Sequence, residues 1–344
     1  MIFDRIMSLL GLLARAFGWL CLGVAILLAT AWMAVVLFFD GPLGSLNAGL
    51  AALSVLAVLA ILRCIQPAAL KFAVLLALGF GVALWWLTLS PSQGRAWPPE
   101  MAQTAWAESE GETITLHNLR ECDSQSPDRG AVRWTSRTLQ LTDIVGLDLF
   151  LGYRGRPLLA QPIVSFQMAS GLPICVSVEP RREVGERFSP LESLCRHYEL
   201  AVILADERDL VLRHTQSADG EELFLFPLQT PPEQARALFV DYLRLANELN
   251  KEPEWYHLLT AHVTESLRLH RLAFGAARPW DWRRLFTGKL AERACDLGLL
   301  QNTRPFSDFQ RLSRVNGHAR LAADDPDFSA RLREALPGHA APSE

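Results

Sequence analysis

Two periodicities divide the chain. The first ninety residues hold three nearly unbroken apolar runs, Phe17–Phe39, Leu46–Leu62 and Phe72–Leu89. A helix needs about 20 apolar residues to cross a bilayer core, so each run predicts a membrane span. A cleaved signal peptide has a shorter apolar core and no further spans behind it. From Thr113 onward the pattern alternates. Strands are expected at Thr113–Leu119, Val132–Thr142, Val145–Leu151, Leu158–Met168, Ile174–Glu179, His197–Ala205, Leu210–His214 and Glu222–Leu228, with a charged turn at Asp206–Asp209. After Pro231 and Pro232 the period becomes helical. Ala235, Leu238, Phe239, Tyr242, Ala246 and Leu249 share one face until Pro253. A second helix is expected from near Val263 to Phe274, and more helix around Leu285–Leu300 and Phe328–Leu336.

The pattern gives an α+β fold class: three N-terminal transmembrane helices, then an antiparallel sheet followed by helices. The expected division is an anchor at 1–89, a Pro/Ser/Gly/Ala-rich linker at 90–112, a core at 113–275, a C-terminal helical extension at 276–336 and a tail at 337–344. Arg5 and Arg15 precede the first span, and Arg63 and Lys71 flank the turn between the second and third. The positive-inside rule puts the N-terminus and that turn in the cytoplasm, and everything after about Ser90 outside the inner membrane, in the periplasm of a double-membrane bacterium. Trp85, Trp86 and Trp97 stand where an interfacial aromatic belt is expected. The three runs contain no charged residue, which favours anchoring over transport.

Composition changes this picture little. Half of the 344 residues are hydrophobic, concentrated at the N-terminal end. The net charge of −4 gives no nucleic-acid footprint. Lysine occurs only three times, so arginine carries the positive charge. No cofactor motif is present. His257, His262 and His270 lack metal-binding spacing, so no metal is expected. Of six cysteines, Cys122, Cys175, Cys195 and Cys295 fall in the soluble part, where three disulfide connectivities or free thiols are open.

The motifs point to a family. Glu254–Arg268 reads EWYHLLTAHVTESLR, and Trp255, Tyr256, Leu259, Thr260 and Thr264 match a W-Y-N-x-L-T-x-N-C-T-T segment. Ile163–Phe166 (IVSF) matches, and Ser177, Glu179, Arg181, Arg182, Glu183, Gly185 and Glu186 match S-x-E-x-R-x-E-x-G-E. Arg137–Leu141 with Val145–Phe150, Tyr198–Leu200 and Ala205–Asp209 follow in order, and further blocks follow downstream. The chain therefore resembles the Lnb-type periplasmic domain family, which includes lipoprotein N-acyltransferases, over about Leu116 to Leu336.

The resemblance implies a permuted papain-like topology, with a histidine-bearing strand before a helix opened by a nucleophilic cysteine. It also implies acyl transfer from a phospholipid ester to an amine, with thiolate and histidine as partners. Here the cysteine position is Val263 and the histidine position is Gln161. Neither can do that chemistry, so the expectation is a catalytically degenerate protein. Its expected partners are a membrane phospholipid, a lipoprotein or a partner enzyme. The rival is an active acyltransferase or hydrolase with a shifted nucleophile. His262, Thr264, Tyr256 and Ser165 are the cleft candidates, with Ser266 a turn beyond Val263 on the same helix side. Glu179, Arg181, Arg182, Glu186, Glu207 and Arg208 form either a headgroup site or a salt-bridge lattice.

Overall fold

The computed structural model describes residues 2–92, 94–122, 132–216, 220–275, 281–300, 304–334 and 336, with side chains from residue 10. It divides into two compact units, Met1–Pro91 with Cys195–His197, and the remainder.

The first unit is three helices, α1 (Ile2–Phe39), α2 (Asn47–Cys64) and α3 (Ala68–Leu87). The three lie in stretches long and apolar enough to cross a membrane, Leu10–Phe39, Gly44–Cys64 and Ala68–Thr88. α1 is 38 residues long, about 57 Å at 1.5 Å per residue, so it overruns a roughly 30 Å hydrocarbon core. Leu27, Leu53 and Leu76 lie open on the helix surfaces, which suits lipid and not water. The α1–α2 turn is tight. Asn47 Oδ1 accepts the Leu43 N–H at 3.0 Å and its Nδ2 donates to the Gly41 carbonyl at 2.9 Å. A Cβ on Gly41 would come within 2.6 Å of that Oδ1, so this turn requires glycine.

The second unit is built on an eight-stranded sheet. Its strands are β1 (Trp106–Glu110), β2 (Thr113–Cys122), β3 (Val132–Gln140), β4 (Ile144–Tyr153), β5 (Ala160–Met168), β6 (Ile174–Arg181), β7 (Glu199–Asp206) and β8 (Glu222–Leu228). They run in the order β1-β2-β7-β6-β5-β4-β8, with β3 on β2. Every pairing is antiparallel except β2 with β7. One face packs on α5 (Pro232–Lys251) and α6 (Leu258–Leu272), through Leu149, Val164, Phe166, Leu238 and Phe239. The other packs on α4 (Glu207–Thr215), α9 (Asn316–Leu321) and α10 (Phe328–Arg333), through Phe150, Ile163, Ile203, Leu210 and Leu332. The α5 apolar face is buried at all six expected positions.

Four expectations need correction. Leu210–His214 is helix, not strand. Asp206 caps it by accepting the Asp209 N–H at 2.6 Å, so the supposed charged turn is a helix start. The expected linker at 90–112 contains β1, held by pairing to β2. The second helix starts at Leu258, not near Val263. His257 caps it, and Leu258 packs with Tyr198 and Tyr256. Val263 therefore lies in the second turn, away from the free amides of the helix start. The helices after 281, α7 (Leu290–Asp296), α8 (Phe306–Leu312), α9 and α10, are core elements and not an extension. Leu290, Phe309, Val315 and Leu332 are buried against the sheet. No disulfide joins any of the six cysteines, all of which lie among the described residues. The expected tail at 337–344 lies outside the described residues.

Candidate functional site: an arginine-lined cavity at one end of the sheet

Strand register assembles the site. Gly152 on β4 pairs with Gln161 on β5, and Ile163 pairs with Ser177 on β6, which brings Gln161 level with Glu179. At this end of the sheet lies a cavity of about 240 Å³. Arg154, Arg156 and Arg182 line it, with Gln161, Glu179, His214, Tyr256 and His262. Leu159, Phe188, Pro190 and Leu258 supply an apolar wall.

The floor is a buried charge relay. His214 Nδ1 lies 3.0 Å from Glu221 and its Nε2 lies 3.4 Å from Glu179. Burial disfavours the imidazolium, but the Glu221 charge and the bonds to both carboxylates outweigh it and hold His214 up at about 9. Burial would likewise raise Glu179, yet His214 keeps it below the usual carboxylate range. Arg154 caps Glu221 from the other side at 2.9 Å. A Cβ on Gly152 would overlap the Glu221 carboxylate, so only glycine admits Glu221 here.

The walls offer donors. The Gln161 amide is committed to its own sheet, donating to Ser177 Oγ at 3.0 Å and the Val178 carbonyl at 2.9 Å. His262 Nδ1 lies 2.9 Å from Thr287 Oγ1, which also accepts the Ala160 N–H at 3.1 Å. Burial, and then the Arg156 charge, pushes His262 down to about 4, so the ring is neutral near pH 7. Among the described residues, no hydrogen bond or ion pair engages the side chain of Arg156 or Arg182. Burial first, and then the Glu179 charge, raises the Tyr256 phenol, so it stays protonated.

The structure brings together Gln161, Glu179, Arg182, Tyr256 and His262 from the expected set. It does not bring in the others. Val263 is half-buried and off the cavity wall, and Thr264 is exposed. Ser266 is fully buried beneath its own turn of α6. Ser165 is fully buried and bonds Glu207 at 2.7 Å. Glu207 and Asp148 share Arg333, which donates to them at 2.6 and 2.8 Å. Burial pushes Asp148 up to about 6 against the Arg333 charge, while Arg333 holds Glu207 down despite burial. Arg181 is buried, donating to the Met101 carbonyl at 2.8 Å and lying 4.1 Å over the Trp97 ring. Glu186 accepts the Glu183 N–H in its own turn. Arg208 donates to the carbonyls of Asp325 and Pro326 and sits over Phe328. Among these residues Glu207 pairs with Arg333 and Arg181 lies 3.9 Å from Glu199, while Glu186 and Arg208 bond backbone groups.

Sequence reasoning missed Arg154, Arg156, His214, Glu221, Thr287 and Arg333. One signal was available: Arg154-Gly155-Arg156 puts two cations around a turn glycine between two strands. Among the described residues no group of histidines, cysteines and acids has the arrangement of a metal site.

These features define an α+β domain with a cationic cavity at the sheet end, carried behind three apolar helices. Residues 131–288 match the family model of the Lnb N-terminal periplasmic domain, and the chain carries a domain of that family there. None of the curated proteins and no solved structure matches the chain.

Proposed function

We propose that this is a membrane-anchored Lnb-type domain that binds a lipid or lipoprotein without turning it over, alone or in support of a partner enzyme. The cavity lining carries the proposal: it holds three arginines and no serine, threonine or cysteine. Gln161 stands where the family resemblance implies the histidine, and its amide is spent on β6. Val263, at the implied cysteine position, is an alkyl group in the second turn of α6. The anchor is proposed to sit in the inner membrane with the N-terminus cytoplasmic and the domain periplasmic, on the arginine and lysine asymmetry of the helix ends.

The rival, a shifted nucleophile, has two observations in its favour. Thr287 with His262 and Ser165 with Glu207 both fall within hydrogen-bond reach of a base. Both hydroxyl-bearing residues are fully buried and neither lines the cavity, so a substrate carbonyl has no approach. The test is intact-mass analysis of the purified full chain after incubation with phospholipid and a lipopeptide acceptor. The expected result is no acyl adduct and no transferred acyl group, with ligand binding retained. A stable acyl adduct on the wild-type chain overturns the proposal.

A further inference from the structure

We infer that residues 94–102 form a strap that closes a second cavity of the domain and is worked by the third apolar helix. The inference goes beyond the binding role proposed above and holds whatever the first cavity takes. The second cavity, of about 340 Å³, shares Glu179 and His214 with the first. The strap supplies Glu100 and Met101 to its lining, opposite Cys122 of β2 and Asp209 of α4. The Met101 side chain is buried in the cluster that also holds Leu210 and Val211 of α4, so it seats the strap in the core. Lifting it would expose apolar surface and open this cavity along one side.

Two buried arginines grip the strap by its main chain. Arg181 donates to the Met101 and Ala102 carbonyls at 2.8 and 3.2 Å and lies 4.1 Å over the Trp97 ring. Arg120 donates to the Glu100 carbonyl at 2.9 Å while it holds Asp209 at 2.6 Å. Towards the other end, the Ala96 carbonyl accepts the Val184 N–H at 2.9 Å and Arg95 pairs with Glu183. Over the cavity the grip is on neutral carbonyls, without the ion pairing that locks Arg333 in place. The pull comes along the chain. The third apolar stretch ends at Thr88, and the Ser92 N–H, four residues on, is tied to the Glu199 carboxylate at 2.6 Å. Four residues reach at most about 14 Å, so the connection has little slack. Pro98 and Pro99 stiffen the strap beyond it. A 21-residue helical stretch is about 32 Å long, close to a roughly 30 Å hydrocarbon core, so a change in bilayer thickness moves its end. Release of Arg181 reaches the first cavity directly, because its neighbours Pro180 and Arg182 line that cavity.

The test reconstitutes the full chain in vesicles of dimyristoleoyl phosphatidylcholine, a thin bilayer, and of dierucoyl phosphatidylcholine, a thick one. Amide hydrogen exchange is read at Val184 and Met101, whose N–H groups bond the Ala96 and Pro98 carbonyls, and alkylation is read at Cys122. In the wild type both rates should differ about tenfold between the two bilayers. A Gly-Ser-Gly-Ser insertion between Leu89 and Ser90 adds slack ahead of the strap, and should abolish that difference while keeping the strap protected. Arg181→Met should raise exchange and Cys122 alkylation about tenfold or more in both bilayers. Should that variant misfold, seen as lost protection in β4 and β5, Trp97→Ala removes the ring under Arg181 and should raise the same two rates. Equal wild-type rates in thin and thick bilayers overturn the coupling, and so does a thickness dependence that survives the insertion. Strap amides that exchange at unprotected rates in the wild type overturn the strap itself. Faster exchange with unchanged Cys122 alkylation overturns its closing of the cavity.

Discussion

The two ends of α4 carry opposite kinds of charge cluster. Glu207 opens the helix and His214 stands seven residues on, so both point to the same helix face about 10.5 Å apart. At the Glu207 end, Arg333 closes on Asp148 and Glu207 while Ser165 donates to the same carboxylate, and every charge in the cluster is answered from within. At the His214 end, the relay of Glu221, His214 and Glu179 is just as paired, yet it floors a cavity whose outer cations, Arg156 and Arg182, have no acid partner among the described residues. Full pairing on all sides makes a fastening. Pairing on the inner side alone leaves charge for a ligand. Arg181 and Arg182 repeat the lesson at neighbouring positions: the first is buried against the Met101 and Ala102 carbonyls, and the second faces the cavity.

The comparison can be broken at either end. The largest effect is expected from Arg333→Met, which strands two buried carboxylates and should cost about 3–5 kcal/mol of stability in denaturant unfolding of the full chain. A cost below about 1 kcal/mol, read against roughly ±0.5 for neutral surface changes, would show that the Glu207 end is no fastening. Next comes Gly152→Ala, whose methyl overlaps Glu221 and should cost about 1–3 kcal/mol. An undiminished thermal midpoint would mean that Glu221 is not seated where we place it.

The relay also sets a pH dependence. His214 is raised in the folded protein from 6.5 to about 9, so its contribution is fully present below pH 6.5 and is lost as pH rises through 9. Glu179 and Glu221 are lowered, so their contribution is present above about pH 4.5 and is lost in acid. The thermal midpoint should therefore fall between about pH 7 and pH 9.5, and His214→Gln should flatten that slope. The same slope in both proteins would place the titrating group elsewhere. The smallest stability effects belong to the cavity cations. Arg156→Gln/Arg182→Gln should change stability by no more than about 0.5 kcal/mol while removing most of the binding. Thr264→Ala, at an exposed position, should change neither.

Strands are legible wherever alternation meets a buried sheet face, and Glu222–Leu228 agrees to the residue. Leu210–His214 misleads because a five-residue stretch, three apolar residues and then two polar, fits strand and helix alike. The Asp206 cap, with its bond to the Asp209 N–H, is what settles it. The same ambiguity hides His214, since its partners Glu179 and Glu221 lie 35 and seven residues away in the chain. Within the site, Gln161, Glu179, Arg182, Tyr256 and His262 carry signals in the motifs, while the arginine pair around Gly155 stands outside them.

Local periodicity and motifs kept in chain order are enough for the three apolar spans, the succession of strands and helices, and the family of the soluble domain. They are not enough to tell a charge that fastens the fold from a charge that lines a cavity. That distinction depends on strand register and on helices packed from distant parts of the chain, and a one-residue step along β6 moves a side chain from one environment to the other. Arg333 reaching Asp148 across 185 residues is a contact that no local pattern encodes.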